Sequence, residues 1–157
     1  MRKEKDFEEF LGLLNKHKVK YCIVGAYAVG LHAEPRYTKD LDILIEPTKE
    51  NGRKIVKALK DFGFESMNLS ASDFIKQREV IQLGVAPVRI DLITSIKGCS
   101  FKEVWKNKIS DEYGKNKVCV IGLDELIKAK KASNRSMDKA DLELLSIAKK
   151  RKKKNER

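Results

Sequence analysis

Two aspartates, Asp40 and Asp42, flank Leu41 at the head of the apolar run Asp40-Leu41-Asp42-Ile43-Leu44-Ile45. Side chains alternate along an extended strand, so the two carboxylates share one face while Leu41 and Ile43 share the other. Like charges placed this way repel each other and resist burial unless a cation lies between them. A third acid, Asp91, has a similar setting in Val88-Arg89-Ile90-Asp91-Leu92-Ile93-Thr94, where Arg89 and Asp91 fall on the face opposite Val88, Ile90 and Leu92. If the two strands are neighbours, Asp40, Asp42 and Asp91 converge as an oxygen-only ligand set. Such a set suits hard divalent cations such as Mg²⁺ or Mn²⁺. Two of these ions, roughly 3.5–4 Å apart, serve in-line phosphoryl or nucleotidyl displacement.

A second group precedes the acids. Val24-Gly25-Ala26 ends one apolar run and opens a small-residue segment, Ala26-Tyr27-Ala28-Val29-Gly30-Leu31-His32. A glycine at a strand-to-helix turn lets a phosphate approach the backbone, and free N–H groups at a helix start attract anions. A packing role for Gly25 explains the residue equally well. Arg36, in a loop between the turn and the acids, is placed to meet a phosphate chain. His32 on its small-residue helix reads as structural more readily than as a ligand. Of Lys128, Lys130 and Lys131, one must face the body of the protein, and the solvated face takes the others.

The elements that would hold these residues can be read from periodicity. Phe7, Phe10, Leu11 and Leu14 mark an amphipathic first helix, and Tyr21 to Val24 a short buried strand. Asp40 to Glu46 forms the next strand, ended by Pro47. Thr48 caps a helix faced by Ile55, Val56, Leu59 and Phe62 and stopped at Gly63. Ser70 to Lys76 reads as a short helix. Glu79 to Val85 and Val88 to Thr94 read as strands joined by a tight turn at Ala86-Pro87. Ser100-Phe-Lys-Glu103 is a capping box opening a helix through Trp105. Val118 to Ile121 is the last predicted strand. Helices near Asp124–Ala132 and Ser136–Lys150 follow, separated at Ser133-Asn134-Arg135. This order predicts a mixed α/β (α+β) fold, a short mixed sheet flanked by helices with a helical C-terminal extension.

Composition narrows the class. The chain has 157 residues, 41% of them apolar and 36% charged, enough for one core under an ionised surface. Its longest apolar stretch, Tyr21 to Leu31, is 11 residues broken by two glycines, well short of the roughly 20 that a spanning helix needs. Cys22, Cys99 and Cys119 are far apart and odd in number, which argues against a disulfide framework and for a reducing cytoplasm. The net charge is +11, of which +6 lies in residues 149–157. That segment is expected to be a disordered tail or a fraying helix end, either a solubilising terminus or a contact for nucleic acid or an acidic partner.

The run from Val24 to Asp42 resembles the Gly turn, helix and Asp-x-Asp strand of the DNA polymerase β-type nucleotidyltransferase superfamily. Its Pro-Arg and Thr-x-Asp-Leu-Asp details resemble small prokaryotic members: AbiEii-like toxins, related antitoxins and antibiotic adenylyltransferases. Arg89-Ile90-Asp91 is similar to the second motif. Leu126-Ile-Lys128-Ala-Lys130-Lys131, with Arg135-x-x-Asp138-Lys-x-Asp141-Leu, is similar to the helical end of the AbiEii-like group. The resemblance covers roughly residues 20–145 and implies a nucleotidyltransferase core (1–122), a helical extension of the same domain (123–148) and a basic tail (149–157).

It further implies transfer of a nucleoside monophosphate from an NTP to a hydroxyl on a protein side chain, a tRNA or a small molecule. Asp40, Asp42 and Asp91 would be catalytic and bind Mg²⁺ or Mn²⁺. Gly25, Ala26, Arg36, Arg89 and Lys130 would bind nucleotide. The family often carries Ser where Ala26 stands, and losing that charge-assisted hydrogen bond costs roughly 1.5–3 kcal/mol. The alternative is a weakly or non-catalytic module on the same fold, antitoxin-like or RNA-binding, with a toxin partner or with nucleic acid bound through the basic tail.

Overall fold

The computed structural model describes residues 4–35, 39–64, 68–84 and 88–156. Helix α1 (Lys5–Lys16) buries Phe7, Phe10, Leu11 and Leu14, the four residues whose spacing predicted it. Strand β1 (Tyr21–Val24) is buried throughout and runs directly into α2 (Gly25–His32). Strand β2 (Asp40–Ile45) ends one residue earlier than its apolar run suggested. Helix α3 (Lys49–Phe62) is capped by the Thr48 hydroxyl, which accepts from the Asn51 N–H, and stops at Gly63 in the left-handed region, φ 97°. Phe10 of α1 and Phe62 of α3 meet with ring centroids 5.1 Å apart.

The middle of the chain differs from its sequence reading in detail. The expected helix at Ser70 to Lys76 is one 3₁₀ turn, Ala71–Phe74, held by a Ser70–Asp73 capping box, with only Phe74 buried. One apolar anchor gives little reason for more turns. Strands β3 (Val80–Leu83) and β4 (Arg89–Ile93) pair antiparallel, Gln82 opposite Asp91. The expected Ala86-Pro87 turn lies outside the described residues. Helix α4 (Phe101–Lys106) follows, opened by the Ser100–Glu103 capping box.

One strand escaped the sequence reading. Strand β5 (Ile109–Tyr113) pairs antiparallel with β6 (Asn116–Val120) around a turn in which Gly114 has φ 61°. In Ile109-Ser-Asp-Glu-Tyr113 only the two ends are apolar and only Tyr113 is buried, so an edge strand half in water leaves a weak alternation. Helices α5 (Leu123–Ser133) and α6 (Ser136–Asn155) complete the chain, divided by Asn134 in the left-handed conformation, φ 49°. Helix α6 continues through residue 155, so residues 149–155 of the basic segment form a helical end and not a disordered tail.

The six strands form one mixed sheet in the order β3-β4-β2-β1-β6-β5. Strands β2 and β4 lie side by side and parallel, with Asp40 opposite Arg89 and Asp42 opposite Asp91. On its other side β2 runs antiparallel to β1, and Asp42 is opposite Val24. The sheet's centre therefore carries the acid-bearing ends of two strands next to the start of α2. Helices α5 and α6 pack on each other and against α2, closing one side of that region. Among the described residues, no helix is long and apolar enough to cross a membrane.

Candidate functional site

A cleft of about 560 Å³ opens where β1, β2 and β4 meet α5 and α6, lined by Gly25, Ala26, Asp40, Asp42, Asp91 and Lys130 among others. The register explains the grouping: equal positions on parallel neighbours put Asp42 and Asp91 side by side, and the Asp-x-Asp spacing returns Asp40 to the same face. Arg89 also lies on this face. Its Nη2 donates to Asp40 Oδ2 and to Asp91 Oδ2, each at 3.2 Å.

Charge compensation in this group is incomplete. Asp42 is pushed up to about 6, by burial first and then by the charges of Asp91 and Asp40. Burial also raises Asp91, partly countered by Arg89. Among the described residues, one carboxylate oxygen, Asp91 Oδ1, is buried without a hydrogen-bond partner, as is Arg89 Nε. Among the described residues, no three His, Cys, Asp or Glu side chains already converge tightly enough to hold a metal ion. Arg89 instead bridges two of the acids. The donor set still fits a hard divalent cation: three carboxylates, one of them with a buried oxygen left unbonded among the described residues.

Gly25 has a local reason to be glycine. Its φ is 70°, and a Cβ built there would collide with the Asp42 carboxylate. The space left by the missing side chain is occupied by Asp42, so the first turn of α2 lies directly against the acid. Val24 provides no side-chain cap for α2, and Ala26 has no hydroxyl to offer.

Lys130 does face the body, as one lysine of α5 had to. It is buried, with its Nζ 3.2 Å from Asp138 Oδ1 and 3.1 Å from Asp141 Oδ2. Asp138 also accepts from the Ser133 hydroxyl and from the Arg135 backbone N–H at 3.0 Å, so the chain break between α5 and α6 is built around it. Lys128 is exposed and pairs with Glu103 at 3.0 Å. His32 Nε2 meets the Ile121 carbonyl at 2.7 Å, a structural tie between α2 and the end of β6. Arg36 lies outside the described residues. Reasoning from sequence missed Lys97 and the apolar wall of Ile93, Ile96 and Met137 on the cleft. The Lys-Gly pair just beyond an acid-bearing strand was the available signal.

No family model matches the chain. No curated protein sequence matches it either. Solved structures do match its fold. The lincosamide antibiotic adenylyltransferase LnuA, in its lincomycin-bound form, superposes with a TM-score of 0.56 at 17% identity, covering 91% of this chain and 96% of that one. A Thermotoga maritima protein assigned as a nucleotidyltransferase gives 0.54 at 17% identity, covering 96% and 91%. An antigenic nucleotidyltransferase-like protein from Paracoccidioides brasiliensis gives 0.52 at 12% identity, covering 88% and 75%. At these identities the likeness establishes the fold, a mixed α/β arrangement of the nucleotidyltransferase type.

Proposed function

We propose that this chain transfers a nucleoside monophosphate from an NTP to a hydroxyl acceptor. The observation that carries the reading is the pairing of Asp42 with Asp91 across β2 and β4, directly under the first turn of α2. In this reading Asp40, Asp42 and Asp91 hold Mg²⁺ or Mn²⁺. Such ions, when bound, neutralise charge on a reacting phosphate and lower the pKa of an attacking hydroxyl. The chain's own residues do the rest. Backbone N–H groups at Gly25 and Ala26 bind phosphate oxygens, as uncapped helix starts do. Arg36 and Arg89 would add positive charge for the phosphate chain. Asp91, buried and already raised in pKa, is suited to accept the acceptor's proton. The fold shared with an adenylyltransferase supports this reading.

The acceptor is a protein side chain, a tRNA or a small molecule. The reading of α5 and α6 as an extension of the same domain as the sheet is supported by the wall they supply to the cleft. Three free cysteines support a reducing cytoplasm. A second reading, a weakly or non-catalytic antitoxin-like or RNA-binding module, draws on two observations. Ala26 lacks a hydroxyl, and α6 ends in six consecutive basic residues, 149–154.

The test is thermal stability with NTP and Mg²⁺ or Mn²⁺, joined to an assay for pyrophosphate release in the presence of candidate acceptors. Ligand should raise the Tm by mass action, and Asp42→Asn should remove most of the rise. Equal stabilisation of wild type and variant would overturn the assignment of the acids. A protein indifferent to every NTP would leave the non-catalytic reading standing.

A further inference from the structure

Among the described residues, four positively charged side chains line the cleft: Arg89, Lys97, Lys130 and Arg135. Three are already engaged. Arg89 bridges Asp40 and Asp91, Lys130 is held between Asp138 and Asp141, and Arg135 pairs with Asp138 at 3.2 Å. Lys97 is exposed and has no ion-pair partner among the described residues.

The position of Lys97 is fixed by its neighbours. It lies in the short connection between β4, which carries Asp91, and α4. One end of that connection is tied where the Thr94 N–H donates to the Glu79 carbonyl at 3.1 Å. The other end lies on α5. Gly98 has φ 89°, and a Cβ there would stand 2.8 Å from Ala132 Cβ and 2.9 Å from the Lys128 carbonyl. The Cys99 thiol then reaches the Glu125 carbonyl at 3.5 Å. A glycine that no larger residue can replace without moving backbone thus presses the loop onto α5 and carries Lys97 over the cleft.

We propose that Lys97 is the lysine that contacts the phosphate chain of the nucleotide, and that Lys130 is a structural cation. This rests on the nucleotidyl-transfer reading of the same cleft. A polyphosphate needs a cation whose charge is not already neutralised and whose side chain moves without opening a buried pair. Lys130 meets neither condition, because its withdrawal takes a positive charge away from two buried carboxylates, Asp138 and Asp141. Lys97 meets both. Its flexible stem and compact ammonium suit a phosphate chain that changes place during reaction.

The experiment is calorimetric titration of wild type, Lys97→Met, Lys97→Arg and Gly98→Ala with the NTP that binds best and with its monophosphate, Mg²⁺ present throughout. Lys97→Met should bind NTP at least about tenfold more weakly, the loss of one charge-assisted contact. It should bind the monophosphate nearly as well as wild type and keep its Tm. Lys97→Arg should retain most NTP affinity, and Gly98→Ala, which shifts the loop and keeps the charge, should lose part of it. Lys97→Met with wild-type NTP affinity would overturn the proposal and leave nucleotidyl transfer intact. A Lys130→Met protein that kept its Tm and alone lost NTP affinity would return the role to Lys130. Wild type that binds no NTP would overturn both readings together.

Discussion

Asp42 occupies the volume that a side chain on Gly25 would need. The two residues are 17 positions apart in the sequence, and β1 and β2 bring them together as antiparallel neighbours. Gly25→Ala therefore meets two penalties at once, a left-handed φ of 70° and a collision with the carboxylate. The expected loss of stability is about 1–3 kcal/mol, measured by urea unfolding. Nucleotide affinity should fall as well, because the variant must move either Asp42 or the start of α2. Full stability with full affinity would show that the turn is looser than this contact requires.

The raised pKa of Asp42 has a definite sign for stability. Its folded value, about 6, lies above the ordinary aspartate value of about 4, so protons bind more tightly to the folded chain. The group imposes no penalty below about pH 4. The penalty then grows as pH rises to about 6 and stays constant above it, on the order of 1–3 kcal/mol. Asp42→Asn should therefore be more stable than wild type at pH 7.5, with the difference shrinking toward pH 4. Because Asp42 and Asp91 are coupled, the midpoint belongs to the pair. Urea melts of both proteins across this range provide the measurement, and a pH-independent difference would contradict the burial argument.

Asp138 behaves in the opposite way. Burial alone would raise it, but hydrogen bonds from Ser133, Arg135 and Lys130 outweigh burial and hold it well below the usual carboxylate range. Its contribution is present above the unfolded-state pKa, near 4, and is lost as pH falls below that toward the depressed folded value. Asp138→Ala leaves Lys130 buried with half its compensation and removes the tie at the α5–α6 break. A loss of about 3–5 kcal/mol at pH 7 is expected. The deficit relative to wild type should narrow in strong acid. A loss under about 1 kcal/mol would mean that the pair is no better than a surface contact.

Much of this site was legible because strand periodicity is strict. Alternation alone puts Asp40 and Asp42 on one face of their strand and Arg89 and Asp91 on one face of theirs, and the parallel register of β2 and β4 joins the two pairs. Gly25 was legible as special, although not the reason: contact with Asp42 depends on how β1 and β2 pair, which no local pattern encodes. The bridge from Arg89 to two acids was hidden for the same cause, since a side chain's partner depends on tertiary neighbours. Strand β5 was missed because an edge strand with one buried residue barely alternates. Lys97 was passed over because a loop lysine looks solvated until Gly98 is seen pressed against α5.

The basic end of α6 gives the last prediction. The last buried residue of this helix is Leu145, and Lys149 makes a solvent-exposed ion pair with Asp124 at 3.1 Å. Exposed pairs of this kind contribute about 0–1 kcal/mol, so deleting residues 149–157 should leave the fold and nucleotide binding intact. If this end binds nucleic acid, affinity should fall with rising salt and vanish in the deletion. Seven positive charges contact at most seven phosphates, which limits the log–log salt slope on duplex DNA to about −6. The geometry sharpens the expectation. Six of these charges, 149–154, sit on consecutive positions of α6 and therefore spread around its circumference, about 100° per residue, so a single duplex meets only some of them. A measured slope nearer −3 than −6 would match a helix lying along one strand. Binding that survives the deletion, or ignores salt, would move recognition to the cleft around Arg89 and Lys97.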